Sequence, residues 1–154
     1  MGAIKSAIGD GVLTFMWVFC ASSLGAATSV VAAYLGVKGM TSLLITTSLV
    51  FVLLFVFGVI GDLLGGASFN PTSTAAFYAA GLGRDTLVSA AVRFPAQVVC
   101  AVGGALAIVE MMPLSHKHML GGPSVKVDLH TGAIAEGVLT FIMSFLVPVI
   151  QVLQ

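Results

Sequence analysis

Three stretches of this chain are almost free of charge, and that constrains its fold more than any other feature. Between Gly11 and Gly61 the only charged residue is Lys38, and none occurs in residues 94–109 or 137–154. A helix needs roughly 18 to 20 predominantly apolar residues to span hydrocarbon, and the first stretch alone holds two such lengths. Charged residues make up only 8% of the whole and hydrophobic residues 58%. A soluble domain carries about 25% charged residues, so this chain cannot clothe a water-facing surface, and a soluble enzyme is excluded. Net charge is zero and no basic patch is present. The expected partner is therefore a lipid bilayer, and nucleic acid is not.

Four full spans can be read, over residues 12–35, 43–64, 87–111 and 131–153, with Pro148 expected to kink the last. Polar loops at residues 36–41 and 113–130 separate them. The first run is longer than the roughly 7 to 15 apolar residues of a signal peptide and is followed by further spans. Lys5 and Arg84 would fall on one side of the membrane and Lys38, Lys117 and Lys126 on the other, a near tie that fixes no orientation. Cys20 and Cys100 lie inside apolar runs and read as small packing residues, not a disulfide framework. Gly58, Gly61 and Gly65 read as sites of close helix packing.

Residues 65–81 break the pattern. The segment Gly-Gly-Ala-Ser-Phe-Asn-Pro-Thr-Ser-Thr-Ala-Ala-Phe-Tyr-Ala-Ala-Gly is too small and polar to span, yet too apolar for a solvated loop. Asn70 followed by Pro71 marks a helix start, with Asn as cap and Pro in the first helical position, and Gly81 is a stop signal. The helix between them has about ten residues, roughly 15 Å or half a membrane. It is either a re-entrant half-helix, held where irregular backbone is buried in protein or lines a wet cavity, or an interfacial helix linking two spans.

An internal repeat bears on that choice. Asp10-Gly-Val-Leu-Thr-Phe opens the first span, and Glu136-Gly-Val-Leu-Thr-Phe recurs early in the fourth. Three spans separate the copies, so they run in opposite directions, as in inverted-repeat transport proteins whose pathway forms near the midplane between the halves. The same offset places a second copy of the Asn-Pro motif near position 196. One and a third repeats are expected here, an incomplete duplication.

The acid before Thr-Phe in spans one and four, the segment Ser68-Phe69-Asn70-Pro71-Thr72, and Arg93 with Ala96-Gln97 and Gly103-Gly104 together resemble the aquaporin, or major intrinsic protein, family. Asn-Pro-Thr in place of Asn-Pro-Ala, with Ser68 where His is frequent, is most similar to the plant small basic intrinsic proteins. The resemblance covers essentially the whole chain. It implies an all-α integral membrane fold, an aquaporin-like right-handed bundle in truncated form, with four transmembrane helices and one re-entrant half-helix. The second Asn-Pro-Ala loop, spans five and six and the constriction Arg are absent from these 154 residues, and the chain is neutral where that subfamily is basic.

Passive transport of water or another small neutral solute is the function implied, with no catalytic cycle and no cofactor. Asn70, Pro71 and Thr72 would form the pore motif, the alternative being that Asn70 is a helix cap with no pore role. Asp10 and Glu136 would brace re-entrant loops by accepting backbone hydrogen bonds, although Asp10 also suits a place among lipid headgroups. Val50, or Leu49, would supply the constriction residue of span two. Thr72 either narrows the pore or bonds within its own helix. Arg93 is expected to snorkel to the interface, with loop or lipid contacts as the alternative, and Glu110 to lie there. His116, His118 and His130 read as solvated loop residues, not a metal site. The resemblance further implies a homo- or hetero-tetramer and residence in the endoplasmic reticulum membrane. The alternative is a non-conducting product that acts by associating with longer subunits. A four-span enzyme subunit would need converging acids, His or Cys, which the spans lack.

Overall fold

The computed structural model describes residues 2–82, 86–121 and 127–152, apart from the side chains of residues 147, 148 and 150–152. Its helices are α1 (Ala3–Ser22), α2 (Leu24–Leu35), α3 (Met40–Leu63), α4 (Pro71–Ala79), α5 (Leu87–Met111), α6 (Leu114–Lys117) and α7 (Leu129–Val152), with no strand among the described residues. Four are long and apolar enough to cross a membrane: α1, α3, α5 and, within α7, Leu129–Leu146. The fold is thus an all-α bundle of the integral membrane type. Arg84 and Lys126, two of the cations weighed for orientation, lie outside the described residues. So does the Pro148 side chain, on which the expected kink rested.

The first span differs from its expected limits of 12–35. Helix begins at Ala3, and a break at Ser23 divides α1 from α2. The Ser23 hydroxyl donates to the Cys20 carbonyl at 2.7 Å, and the Ser23 amide bonds to the same carbonyl at 3.1 Å. Serine bonding back to the preceding turn is a known cause of helix bending. In the long loop, residues 114–117 form α6. The α7 helix starts at Leu129, where Asp128 accepts from the Thr131 amide at 3.0 Å. Hydrogen bonding from Thr131, side chain first and backbone second, holds the exposed Asp128 carboxyl below the usual carboxylate range.

The core of the bundle is the contact of α1 with α5. On α5, Ser89, Arg93, Gln97, Gly104 and Ile108 are buried, a stripe at helical spacing. It packs on α1, where Asp10 and Gly11 meet it and Ala7, Leu13 and Thr14 are also buried. Missing side chains let the backbones meet: a Cβ at Gly104 would lie 2.5 Å from the Phe15 carbonyl oxygen, and one at Gly11 would lie 2.9 Å from the Cys100 sulfur. Of the three glycines expected at packing sites, only Gly61 is one, its absent Cβ leaving room for the Ala67 carbonyl. Gly58 faces open space, and Gly65 instead makes a turn at φ 82°. Between α2 and α3, the hydroxyls of Thr28 and Thr46 pair at 2.9 Å. Much of α3 and α7 is exposed and apolar, including Phe51, Phe55, Phe141 and Phe145, the surface a bilayer would cover.

Gly104→Ala should destabilise the chain by about 1–3 kcal/mol, the usual cost of overpacking a fitted core. Gly58→Ala should shift it by less than about 0.5 kcal/mol. Chemical unfolding in detergent micelles, followed by circular dichroism, measures both.

Candidate functional site

The segment between α3 and α4 turns back into the bundle because two glycines reverse it. Gly65 and Gly66 both have positive φ, 82° and 81°, a conformation open to glycine at no steric cost. The amides of Gly66 and Ala67 bond to the Gly61 carbonyl at 3.0 and 2.9 Å. Ser68 is then held from both sides: its amide donates to Asp10 Oδ1 at 2.8 Å, and its carbonyl accepts from Gln97 Nε2 at 2.9 Å.

Asp10 is the centre of this arrangement. It is 0% exposed and lies two turns inside α1, not at a helix start among headgroups. Arg93 Nε reaches Oδ2 at 2.6 Å and Arg93 Nη2 reaches Oδ1 at 3.0 Å, a two-pronged ion pair. Gln97 Nε2 adds a third donor at 3.0 Å from Oδ2, and the Ser68 amide is the fourth. The expected snorkelling of Arg93 is therefore corrected: its side chain is 6% exposed and turned inward. A buried carboxylate needs a cation and donors around it, and Arg93 and Gln97, one helical turn apart on α5, supply both. Gln97 Oε1 is left without a partner among the described residues.

The depth of the loop follows from these partners. Gln97 is the eleventh residue of the 25-residue α5, about 15 Å along a helix of about 37 Å. The Ser68 backbone therefore lies well inside the bundle. Phe69 continues inward and stacks on Trp17 with ring centroids 4.3 Å apart, while the ring of Phe57 meets both edge-on, at 5.3 Å from Trp17 and 6.1 Å from Phe69.

At Asn70 the chain becomes helical. Asn70 is extended, φ −133° and ψ 114°, and Pro71 opens α4. The Thr72 amide donates to Asn70 Oδ1 at 3.0 Å. That bond settles which end of the side-chain amide faces the helix, because an N–H must face its oxygen, so the NH2 group points away from the helix. Asn70 also shares two bonds with the Ser68 hydroxyl, accepting at its carbonyl and donating from its amide. The helix closes at Gly81, φ 68°, with Gly81 bonded to the Tyr78 carbonyl and Leu82 to that of Phe77, the two bonds of a Schellman stop.

Between α4 and α7 lies a cleft of about 320 Å³. Asn70, Thr72, Ser73, Thr140 and Ser144 give it a polar lining, and Ala76, Phe77, Leu139 and Met143 an apolar one. The Thr72 hydroxyl makes no hydrogen bond among the described residues and is exposed to this space. Val50 and Leu49 are half-buried on α3, away from the cleft lining. Glu136 is exposed on α7, and its carboxylate makes no hydrogen bond or ion pair among the described residues. Glu110 is exposed at the end of α5. His116 pairs its Nδ1 with the Ser115 hydroxyl at 2.9 Å. Sequence reasoning did not assign the roles of Arg93, Gln97, Trp17 and Phe69. For Arg93 and Gln97 a signal existed: both break the apolar face of α5 four residues apart.

Comparison with known proteins gives a consistent set of relatives. The chain is similar to aquaporin SIP1-1 of Zea mays, 60% identical over 151 residues, and to aquaporin SIP1-1 of Oryza sativa subsp. japonica, 55% identical over 152 residues. Each alignment covers 96% of this chain and 62% of the relative. Aquaporin SIP1-1 of Arabidopsis thaliana is 51% identical over 149 residues, 96% of this chain and 61% of that protein. The chain thus spans about three fifths of the length of the curated relatives it matches. No family model matches it, and no solved structure matches it significantly.

Replacing Arg93 by Met should destabilise the chain by about 3–5 kcal/mol, since it strands a buried carboxylate. Adding Asp10→Asn to Arg93→Met should recover part of that loss. Unfolding titrations of the two single variants and the double variant close the cycle and give the coupling.

Proposed function

Because the chain belongs to the aquaporin family over the stretch it shares with these relatives, we propose that the cleft beside α4 is one wall of a path for water or another small neutral solute. Passage would be passive, with no bond made or broken. The observation that carries this reading is the Asn70 amide, whose oxygen is committed to the Thr72 amide while its NH2 meets no partner among the described residues, beside the cleft.

A water passing that point finds a donor for its oxygen. One donor engages one lone pair; with both engaged, the water could not accept a proton from the next water in a file. The amino terminus of α4 adds roughly half a positive charge from aligned peptide dipoles. In aquaporin-type pores such positive half-helix ends exclude protons and cations. Thr72, Ser73, Thr140 and Ser144 offer further hydroxyls along the same wall. Asp10 serves this scheme as the brace that holds the tip, and Val50 remains the constriction residue suggested by family spacing. Glu136 would brace a second loop of the same kind. Membrane insertion of all four long helices, tetrameric assembly and residence in the endoplasmic reticulum complete the proposal.

One feature favours a second reading. The main contact of α7 with the rest of the chain is through α4, so the cleft has an open side that another subunit could close. Conduction would then depend on association with longer relatives.

Stopped-flow light scattering on proteoliposomes carrying this chain should show osmotic water permeability above that of empty vesicles, with proton permeability unchanged. Flux that appears only after co-reconstitution with a longer relative selects the second reading; permeability equal to empty vesicles in both cases refutes the proposal. Asn70→Asp is the informative variant, because Asp caps helices as well as Asn yet replaces the donor with a negative charge. It should lower water flux and admit cations.

A further inference from the structure

The hydrogen bonds to Asp10 and Gln97 fix Ser68, and Asn70, two residues further on, is tied to the Ser68 hydroxyl through its backbone. Those bonds join Asn70 to Ser68 and not to the surrounding helices, so they do not by themselves set its direction relative to the bundle. The second anchor is apolar. Phe69 sits between the anchored serine and the capping asparagine, and its ring stacks on Trp17 at 4.3 Å and 21°, with Phe57 closing the edge at 80°. Trp17 follows Asp10 by seven residues on α1. Two helical turns, about 10 Å, separate them on one face. The same helix thus presents a polar grip and an aromatic grip to successive residues of one loop.

We propose that Trp17 is a positioning residue: through its stack with Phe69 it sets the direction of the Asn70 amide, and with it the exclusion of ions at the α4 tip. Aromatic stacks hold both separation and tilt, whereas an aliphatic contact of similar volume holds only separation. Replacing Trp17 by Leu would therefore keep an apolar side chain, though a smaller one, and lose the ring face that sets the orientation. Replacing it by Phe would keep a ring face for Phe69 and restore it. The link to ion exclusion rests on the permeation reading above, whereas the link between Trp17 and the Asn70 side chain does not.

The test has two separable readouts, both on the full chain in lipid nanodiscs or proteoliposomes. The first is the side-chain amide NMR signal of Asn70, assigned by its loss in Asn70→Asp. Trp17→Leu and Phe69→Leu should each move or broaden that signal, and Trp17→Phe should return it toward its original position, with helix content by circular dichroism equal in all variants. The second is ion leak relative to water flux, which should rise in Trp17→Leu and fall back in Trp17→Phe. An Asn70 signal unmoved in a folded Trp17→Leu protein overturns the positioning role. A signal that moves as expected, in a chain that conducts nothing, upholds the clamp and overturns only the permeation reading on which its ion-exclusion role rests. If Trp17→Leu fails to fold, Phe69→Leu carries the same test from the other side of the stack.

Discussion

A single carboxylate with no access to solvent organises the middle of this molecule. Asp10 accepts four hydrogen bonds, two from Arg93, one from Gln97 and one from the Ser68 backbone. Left bare in an apolar interior, such a charge would be very costly; with a guanidinium and two further donors it becomes the point where three segments are tied. The glycine next to it follows from that demand. Gly11 lets α5 close on α1 beside Cys100, where a Cβ would lie 2.9 Å from the sulfur. A bulkier residue there would push α5, and with it Arg93, away from the acid.

What the tie achieves is a loop that enters the bundle and stops at a defined depth. Its polar edge is fixed by Asp10 and Gln97 and its apolar edge by Trp17 and Phe57, so the start of α4 is presented in one orientation. Preorganisation of this kind matters for a weakly interacting solute. A donor already aimed costs no ordering when a water arrives, and a fixed dipole repels a cation without having to reorient. In the proposed path, the hydroxyl-bearing residues of α4 and α7 would extend that wall on a bundle whose outer faces are apolar.

Parts of this were legible in the residues and parts were not. Uncharged runs revealed the long helices, because insertion is governed by composition over many residues. The Asn70-Pro71 start and Gly81 stop were legible because caps are local chemistry. The break at Ser23 was not, since serine is tolerated inside apolar helices and bends them only when it bonds backward. Asp10 read either as a brace for the loop, by resemblance, or as an interfacial charge, and Arg93 read as an interfacial charge at the edge of a span. Only the pairing of two residues 83 positions apart turns both inward, and no local pattern encodes it. Trp17 and Phe69 were likewise silent, for an aromatic in an apolar run does not say which way it faces. The glycine readings split for the same reason: Gly58 and Gly61 are alike in sequence, and only the path of the loop makes one of them necessary.

The central claim is that residues 68–72 lie deep in the bundle and, in a bilayer, near its midplane. Relaxation of backbone amides by a gadolinium chelate anchored to lipid headgroups measures that depth directly. The account predicts that Ser68 and Thr72 are relaxed as weakly as residues beside Gln97 in the middle of α5. Relaxation as strong as that of Lys38, in the loop between α2 and α3, would contradict it and leave α4 lying on the membrane surface.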